Sequence, residues 1–95
     1  MQLSLGVPPG PQTTQLAVRA EQLGYDRIWL FDSPAVYEDL WIHLGLMAQA
    51  TSRIGLGTAV IVPSLRHVMT TAAAIATIER LAPGRLACDG SRQLL

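Results

Sequence analysis

Three places in this chain pair residue types able to do chemistry with a position where chemistry is commonly done. Asp32 directly follows the apolar run Ile28-Trp29-Leu30-Phe31. A carboxylate ending a buried strand is expected to face the mouth of the sheet, accepting hydrogen bonds from a ligand or taking part in proton transfer. An aspartate before Ser33-Pro34 also caps its own loop, and both readings stand. Thr58-Ala59-Val60 lies near the end of a second apolar run, Ile54 to Pro63, which is free of charge between Arg53 and Arg66. A bulge there would bare backbone groups to a bound ring. Arg66-His67 opens a helical segment, where it either meets an anionic or polar ligand or braces neighbouring loops.

Other candidates point elsewhere. His43 sits between Ile42 and Leu44 without a His/Cys/Asp/Glu cluster at metal-ligand spacing, so no metal site is expected. Trp29 and Trp41 read as core or interface anchors. Cys88 has no base near it in sequence and reads as a small buried hydrophobe. No serine stands in a nucleophile-elbow pattern, and with no lysine in the chain there is no phosphate loop.

The elements that must position these residues alternate. Leu3–Val7 reads as a strand ended by Pro8-Pro9-Gly10-Pro11. Thr13 or Thr14 is placed to N-cap a helix with Leu16, Ala17, Ala20 and Leu23 at helical spacing, Arg19, Glu21 and Gln22 toward solvent, and Gly24 at C′. Strand two is Ile28–Phe31. A helix follows from about Glu38 to Ala50, with Leu40, Leu44 and Met47 on one stripe. Strand three is Ile54–Pro63. One of its faces carries only Gly55, Gly57 and Ala59, which suits either a planar group lying on the strand or tight helix packing. Val60 and Val62 are expected with Ile54, Leu56 and Thr58 on the other face. A third helix covers roughly Arg66 to Leu81, Pro83-Gly84 stops it, and Arg85–Cys88 begins a fourth strand.

This β-α-β-α-β-α-β order means parallel strands with helical crossovers. The prolines of Gly6-Val7-Pro8-Pro9-Gly10 stand where a dinucleotide-binding turn needs free amides. The expected fold is therefore α/β, a partial (β/α)8 barrel of about three βα units and the start of strand four, since a whole barrel takes about 250 residues.

Composition narrows the class further. The 95 residues carry Lys plus Arg 7 against Asp plus Glu 7, a formal net charge of +0, which disfavours nucleic acid and anionic membranes as partners. The 49% apolar content is ample for a core, and 15% charged residues is few for so small a globule, so further surface is expected to be covered. A single cysteine suits a reducing cytoplasm, and no uncharged run is long enough to span a bilayer.

Four stretches together carry a resemblance: Ala20-Glu21-Gln22-Leu23-Gly24-Tyr25-Asp26-Arg27-Ile28-Trp29, Ile54-Gly55-Leu56-Gly57-Thr58-Ala59-Val60, Leu65-Arg66-His67, and Leu81-Ala82-Pro83-Gly84-Arg85. In this order, from about Leu3 to Leu86, the chain resembles the bacterial-luciferase-like flavin/F420-dependent oxidoreductases, most of all the branch that uses coenzyme F420. The resemblance implies a TIM barrel, often dimeric, binding FMN or F420 at its C-terminal mouth for hydride transfer, or for oxygen insertion, on a small organic substrate. It implies that Asp32 is a catalytic or cofactor contact and that Ser33 stands beside it, where relatives often carry histidine. It makes Thr58, Ala59 and Val60 the strand-three bulge behind the cofactor ring, with a non-proline cis peptide of the kind seen in F420-using members falling at Ala59–Val60. Relatives continue after Pro-Gly-Arg with an apolar strand and a glycine-rich turn, whereas here Asp89-Gly90-Ser91-Arg92-Gln93-Leu94-Leu95 follows. The expectation is an N-terminal portion of one such domain, truncated or frame-shifted after about residue 86. The alternative is a non-catalytic half-barrel that self-associates or pairs with another chain.

Overall fold

The computed structural model describes residues 2–61 and 63–90. Its elements are β1 (Ser4–Val7), α1 (Thr13–Gln22), β2 (Arg27–Leu30), α2 (Leu40–Ala50), β3 (Gly55–Ile61), a 3-10 turn at Pro63–Leu65, α3 (Val68–Leu81) and β4 (Leu86–Gly90). The strands form one sheet in the order β1-β2-β3-β4, every neighbouring pair parallel. The expected alternation and parallel sheet are both present. Asp89 and Gly90, expected outside the fourth strand, complete it; the rest of the tail, 91–95, lies outside the described residues, as does Val62.

Strand periodicity sorts the side chains. Leu5, Ile28, Leu56 and Leu86 stand in register across the sheet, followed by Val7, Leu30, Thr58 and Cys88. Ile28, Leu30 and Leu56 join Ala17, Ala20, Leu40, Leu44 and Met47 in a single buried cluster, so the helices cover this face. The Leu40, Leu44 and Met47 stripe is the side of α2 that packs there, each at most 1% exposed. Cys88, expected to be buried, is exposed on β4, at the edge of the described sheet, although burial of its sulfur still pushes the thiol upward.

The opposite face explains the small residues of β3. A methyl group built on Gly57 would lie 2.3 Å from Trp29 Cε3, and one on Gly55 would lie 2.7 Å from Arg27 Cζ. The indole and guanidinium of β2 thus lie across β3, with Arg27 Cζ 5.4 Å from the Trp29 ring centroid. The glycines make room for two planar side chains of the chain itself, not for helix packing, and Trp29 is a half-buried slab on this face.

Helix starts differ from expectation: α2 begins at Leu40 and not Glu38, α3 at Val68 and not Arg66, and the cap of α1 is another residue. Thr13 is not the cap of α1; Gln12 holds that position without a side-chain bond. The Thr13 hydroxyl instead accepts from the Gly10 amide at 2.7 Å and donates to the Pro8 carbonyl at 3.0 Å, closing the proline turn. At the other end Gly24 takes φ 87°, and the Tyr25 amide reaches the Ala20 carbonyl while the Gly24 amide reaches Glu21, the paired bonds of a Schellman ending. Asp39 caps α2, its Oδ2 accepting from the Ile42 amide at 2.9 Å.

The N-terminal ends of the strands are tied by side chains reaching backbone. Glu21, read as solvent-facing, accepts from the amides of Ser52, Arg53 and Ile54 at 3.0, 2.6 and 2.9 Å. Burial pushes its carboxyl up, but those amides and the Arg53 guanidinium outweigh it and hold the group below the ordinary carboxylate range. Arg85 donates to the carbonyls of Ala48, Thr51 and Ile54 and to the Thr51 hydroxyl. Arg27 donates to the carbonyls of Leu56 and Arg85, and Asp26 accepts from the Leu3 amide.

Candidate functional site at the strand C-terminal ends

The opposite, C-terminal end brings together what the sequence singled out. Asp32 follows β2, Thr58 to Val60 lie towards the end of β3, and Arg66 precedes α3. The Asp32 carboxylate does not stand open at the mouth as expected. Its side chain is 1% exposed, and it accepts from Arg66 Nη1 at 2.7 Å and Nη2 at 2.8 Å in a bidentate fork. Arg66 Nη2 also lies 3.7 Å from Asp39 Oδ1. Hydrogen bonding to Asp32 raises the Arg66 guanidinium above its ordinary value; burial opposes this and the two carboxylates' charge adds to it. Arg66 therefore braces loops, one of the two readings open to it. His67 does the same locally, capping α3 through Nδ1, which accepts from the Met69 amide at 3.1 Å.

Ser33 is exposed, and its carbonyl accepts from the amides of Val36 and Tyr37, folding the loop after β2 into a turn. Tyr37 returns toward the sheet with its ring 6.5 Å from that of Phe31. His43 joins this region through a 2.8 Å contact with Glu38.

At the end of β3 the ladder slips. Ala59 pairs with Asp89 and Ile61 with Gly90, so Val60 has no partner on β4. The peptide between Ala59 and Val60 is cis, at the bond the resemblance indicated. The slip also ends the simple alternation expected through Val60. Val60 emerges 47% exposed, while Ile61 turns back into the buried cluster at 1%. Thr58 is fully buried on the helix-facing side; its hydroxyl makes no well-formed hydrogen bond, although the Cys88 thiol lies close enough to be pulled slightly down by it. Thr58 thus supports the bulge from behind, and Ala59 and Val60 form its surface.

Sequence reasoning named Asp32 and Arg66 separately and missed their pairing. It also missed Asp39, whose only signal was its place before the helical stripe. Among the described residues no His/Cys/Asp/Glu group is arranged to hold a metal ion, and no helix is long and apolar enough to cross a membrane.

Parallel strands in chain order, with a slipped third strand and a charge-paired rim at their C-terminal ends, have the arrangement of the opening section of a (β/α)8 barrel. The chain belongs to the luciferase-like monooxygenase family, whose model matches residues 2–89. It is 38% identical over 85 residues to an F420-dependent glucose-6-phosphate dehydrogenase of Kineococcus radiotolerans, covering 81% of this chain and 25% of that one. It is 33% identical over 81 residues to the 5,10-methylenetetrahydromethanopterin reductase of Methanolobus tindarius, covering 83% and 24%. Among solved structures, the coenzyme F420-dependent tetrahydromethanopterin reductase of Methanopyrus kandleri superimposes with a TM-score of 0.81 at 29% identity, over 94% of this chain and 26% of that one. The chain spans about a quarter of the length of the curated relatives it matches.

Proposed function

We propose that residues 1–95 are the N-terminal portion of a single luciferase-like barrel domain whose whole carries out hydride transfer between a small organic substrate and coenzyme F420. The observation that carries this reading is the slip at Ala59–Ile61, in a chain with F420-dependent relatives. It leaves Val60 outside the ladder at the mouth, beside the end of β2. The residues present suit a flat ring at that level: Ala59 offers only a methyl group, Val60 an exposed apolar surface, and Ser33, exposed shortly after β2, a hydroxyl. Deeper on the sheet the space above Gly57 is already filled by Trp29. FMN, a ring of the same shape, is the alternative cofactor. When bound, the deazaflavin supplies the two-electron carrier; Ala59, Val60 and Ser33 hold and orient it, and Asp32 keeps the β2 end in place beside it. The free cysteine Cys88 suits a reducing cytoplasm.

The test is titration of the purified chain with F420 and with FMN, followed by each ligand's own fluorescence. Saturable binding, weakened in Val60→Asp, is the expected result. No binding to a chain whose circular dichroism shows the α/β fold would overturn the proposal that these residues seat the ring.

A second reading, a half-barrel that pairs with another copy, draws on one observation. Ile42 and Leu46 stand 66% and 49% exposed on α2, and Ile42 lines an apolar groove between α2 and α3 with Trp41 and Leu81. Analytical ultracentrifugation decides it: a dimer that Ile42→Glu dissociates supports it, and a monomer rules it out.

A further inference from the structure

We infer that Arg66 is a positioning residue, whose guanidinium ties the end of β2, the start of α2 and the segment after β3 into one rim around the cofactor seat. The inference rests on the reading above that the seat lies at this mouth. It is carried by one side chain meeting two carboxylates from separate elements: Asp32 in a bidentate fork at 2.7 and 2.8 Å, and Asp39 at 3.7 Å.

Burial makes the first contact consequential. With the Asp32 side chain 1% exposed and that of Arg66 13% exposed, each charge has left most of its water. A carboxylate so placed is tolerated when both oxygens are satisfied, which the planar fork of an arginine does and a lysine ammonium does not. Asp39 brings a second demand, because the same residue caps α2 through Oδ2 while Oδ1 faces Arg66. One guanidinium therefore sets where β2 stops, where α2 starts and how the chain leaves β3. Arg66 lies five positions beyond Ile61, where the slipped ladder resumes. Drawing it onto Asp32 pulls the exit from β3 toward β2 and so fixes the direction in which Ala59 and Val60 present themselves.

The same geometry argues against the competing role, in which Arg66 would bind an anionic part of a ligand. Its two terminal nitrogens are already committed to carboxylates, and the three side chains together carry one net negative charge. A phosphate approaching this cluster would have to displace Asp32 from a buried pair.

Three variants of the whole chain test this: Arg66→Met, Arg66→Lys and the neutral pair Asp32→Asn with Arg66→Gln. Two readouts are taken on each, affinity for F420 by ligand fluorescence and hydrogen–deuterium exchange of the peptides spanning 32–39 and 59–61. Arg66→Met is expected to bind F420 about tenfold or more weakly and to exchange faster in both peptides together. Arg66→Lys is expected to restore neither, and the Asn/Gln pair to recover both in part, since an amide pair keeps a hydrogen bond and leaves no buried charge. Faster exchange confined to the first turn of α3, or full rescue by lysine, would overturn the inference. If wild type binds neither F420 nor FMN, the proposal that these residues seat the ring fails, while the exchange data still decide whether Arg66 holds the rim. If Arg66→Met does not fold, the neutral pair decides: exchange no slower than in Asp32→Asn alone would count against the inference.

Discussion

The two ends of the sheet satisfy their charges in opposite ways. At the N-terminal end, Glu21, Arg27, Arg85 and Asp26 spend their polar atoms on backbone groups of loops and strands far away in sequence. At the C-terminal end, Arg66 and Asp32 meet each other side chain to side chain, with Asp39 Oδ1 3.7 Å from the same guanidinium. A side chain bonded to backbone specifies where the chain runs, and losing it strands buried amides or carbonyls. Side chains bonded to each other can be exchanged as a set, leaving the backbone at the mouth, including unpaired Val60, open to other work. One end ties the chain's path and the other shapes the mouth, as barrel enzymes divide stability and catalysis between their two faces.

That contrast is open to challenge at graded cost. Arg85→Ala should be the most damaging change, at about 3 kcal/mol or more, because four acceptors including the buried Thr51 hydroxyl lose a charged donor. Urea denaturation measures it, and a loss no greater than that of a mouth variant would show that the two ends contribute alike to stability. Gly57→Ala, midway between the ends, should cost about 2 kcal/mol by overpacking against Trp29. A red-shifted tryptophan emission should accompany it, and Trp29→Ala in the same chain should relieve the clash.

Glu21→Gln is predicted to act through pH. The folded carboxyl sits below its ordinary value of 4.5, so its contribution is present above that value and fades as pH falls through the folded one. Wild type should therefore lose stability on acidification below about pH 4.5 more steeply than the glutamine variant, with the curves converging in stronger acid. Parallel curves would show that the three amides do not hold the carboxylate. At the mouth, Asp39→Ala should cost about 1 kcal/mol as a lost helix cap. It should also speed exchange in the 32–39 segment.

The architecture was legible because short-range signals agreed. The proline turn after β1, Gly24 after α1, the stripe of α2 and the Pro83-Gly84 stop each acted within a few residues. What stayed hidden was long-range pairing. Glu21 looked like any helix-surface glutamate, since its three amide partners lie more than thirty residues onward. Asp32 and Arg66 were each picked out by position, yet nothing local joins residues 34 apart. Gly55 and Gly57 signalled a close approach correctly, but the approaching groups were Arg27 and Trp29 from the neighbouring strand. The cis bond at Ala59–Val60 was reachable through family resemblance alone, because no property of alanine or valine favours it.

The strand order has a consequence for how such a chain comes into being. Since the sheet reads β1-β2-β3-β4, each strand pairs with one already made, across a separation of about thirty residues or fewer. Closing loops of that length costs little entropy. A nascent polypeptide leaving the ribosome can therefore lay down this sheet strand by strand, in the order of translation, without waiting for a distant partner to be synthesised.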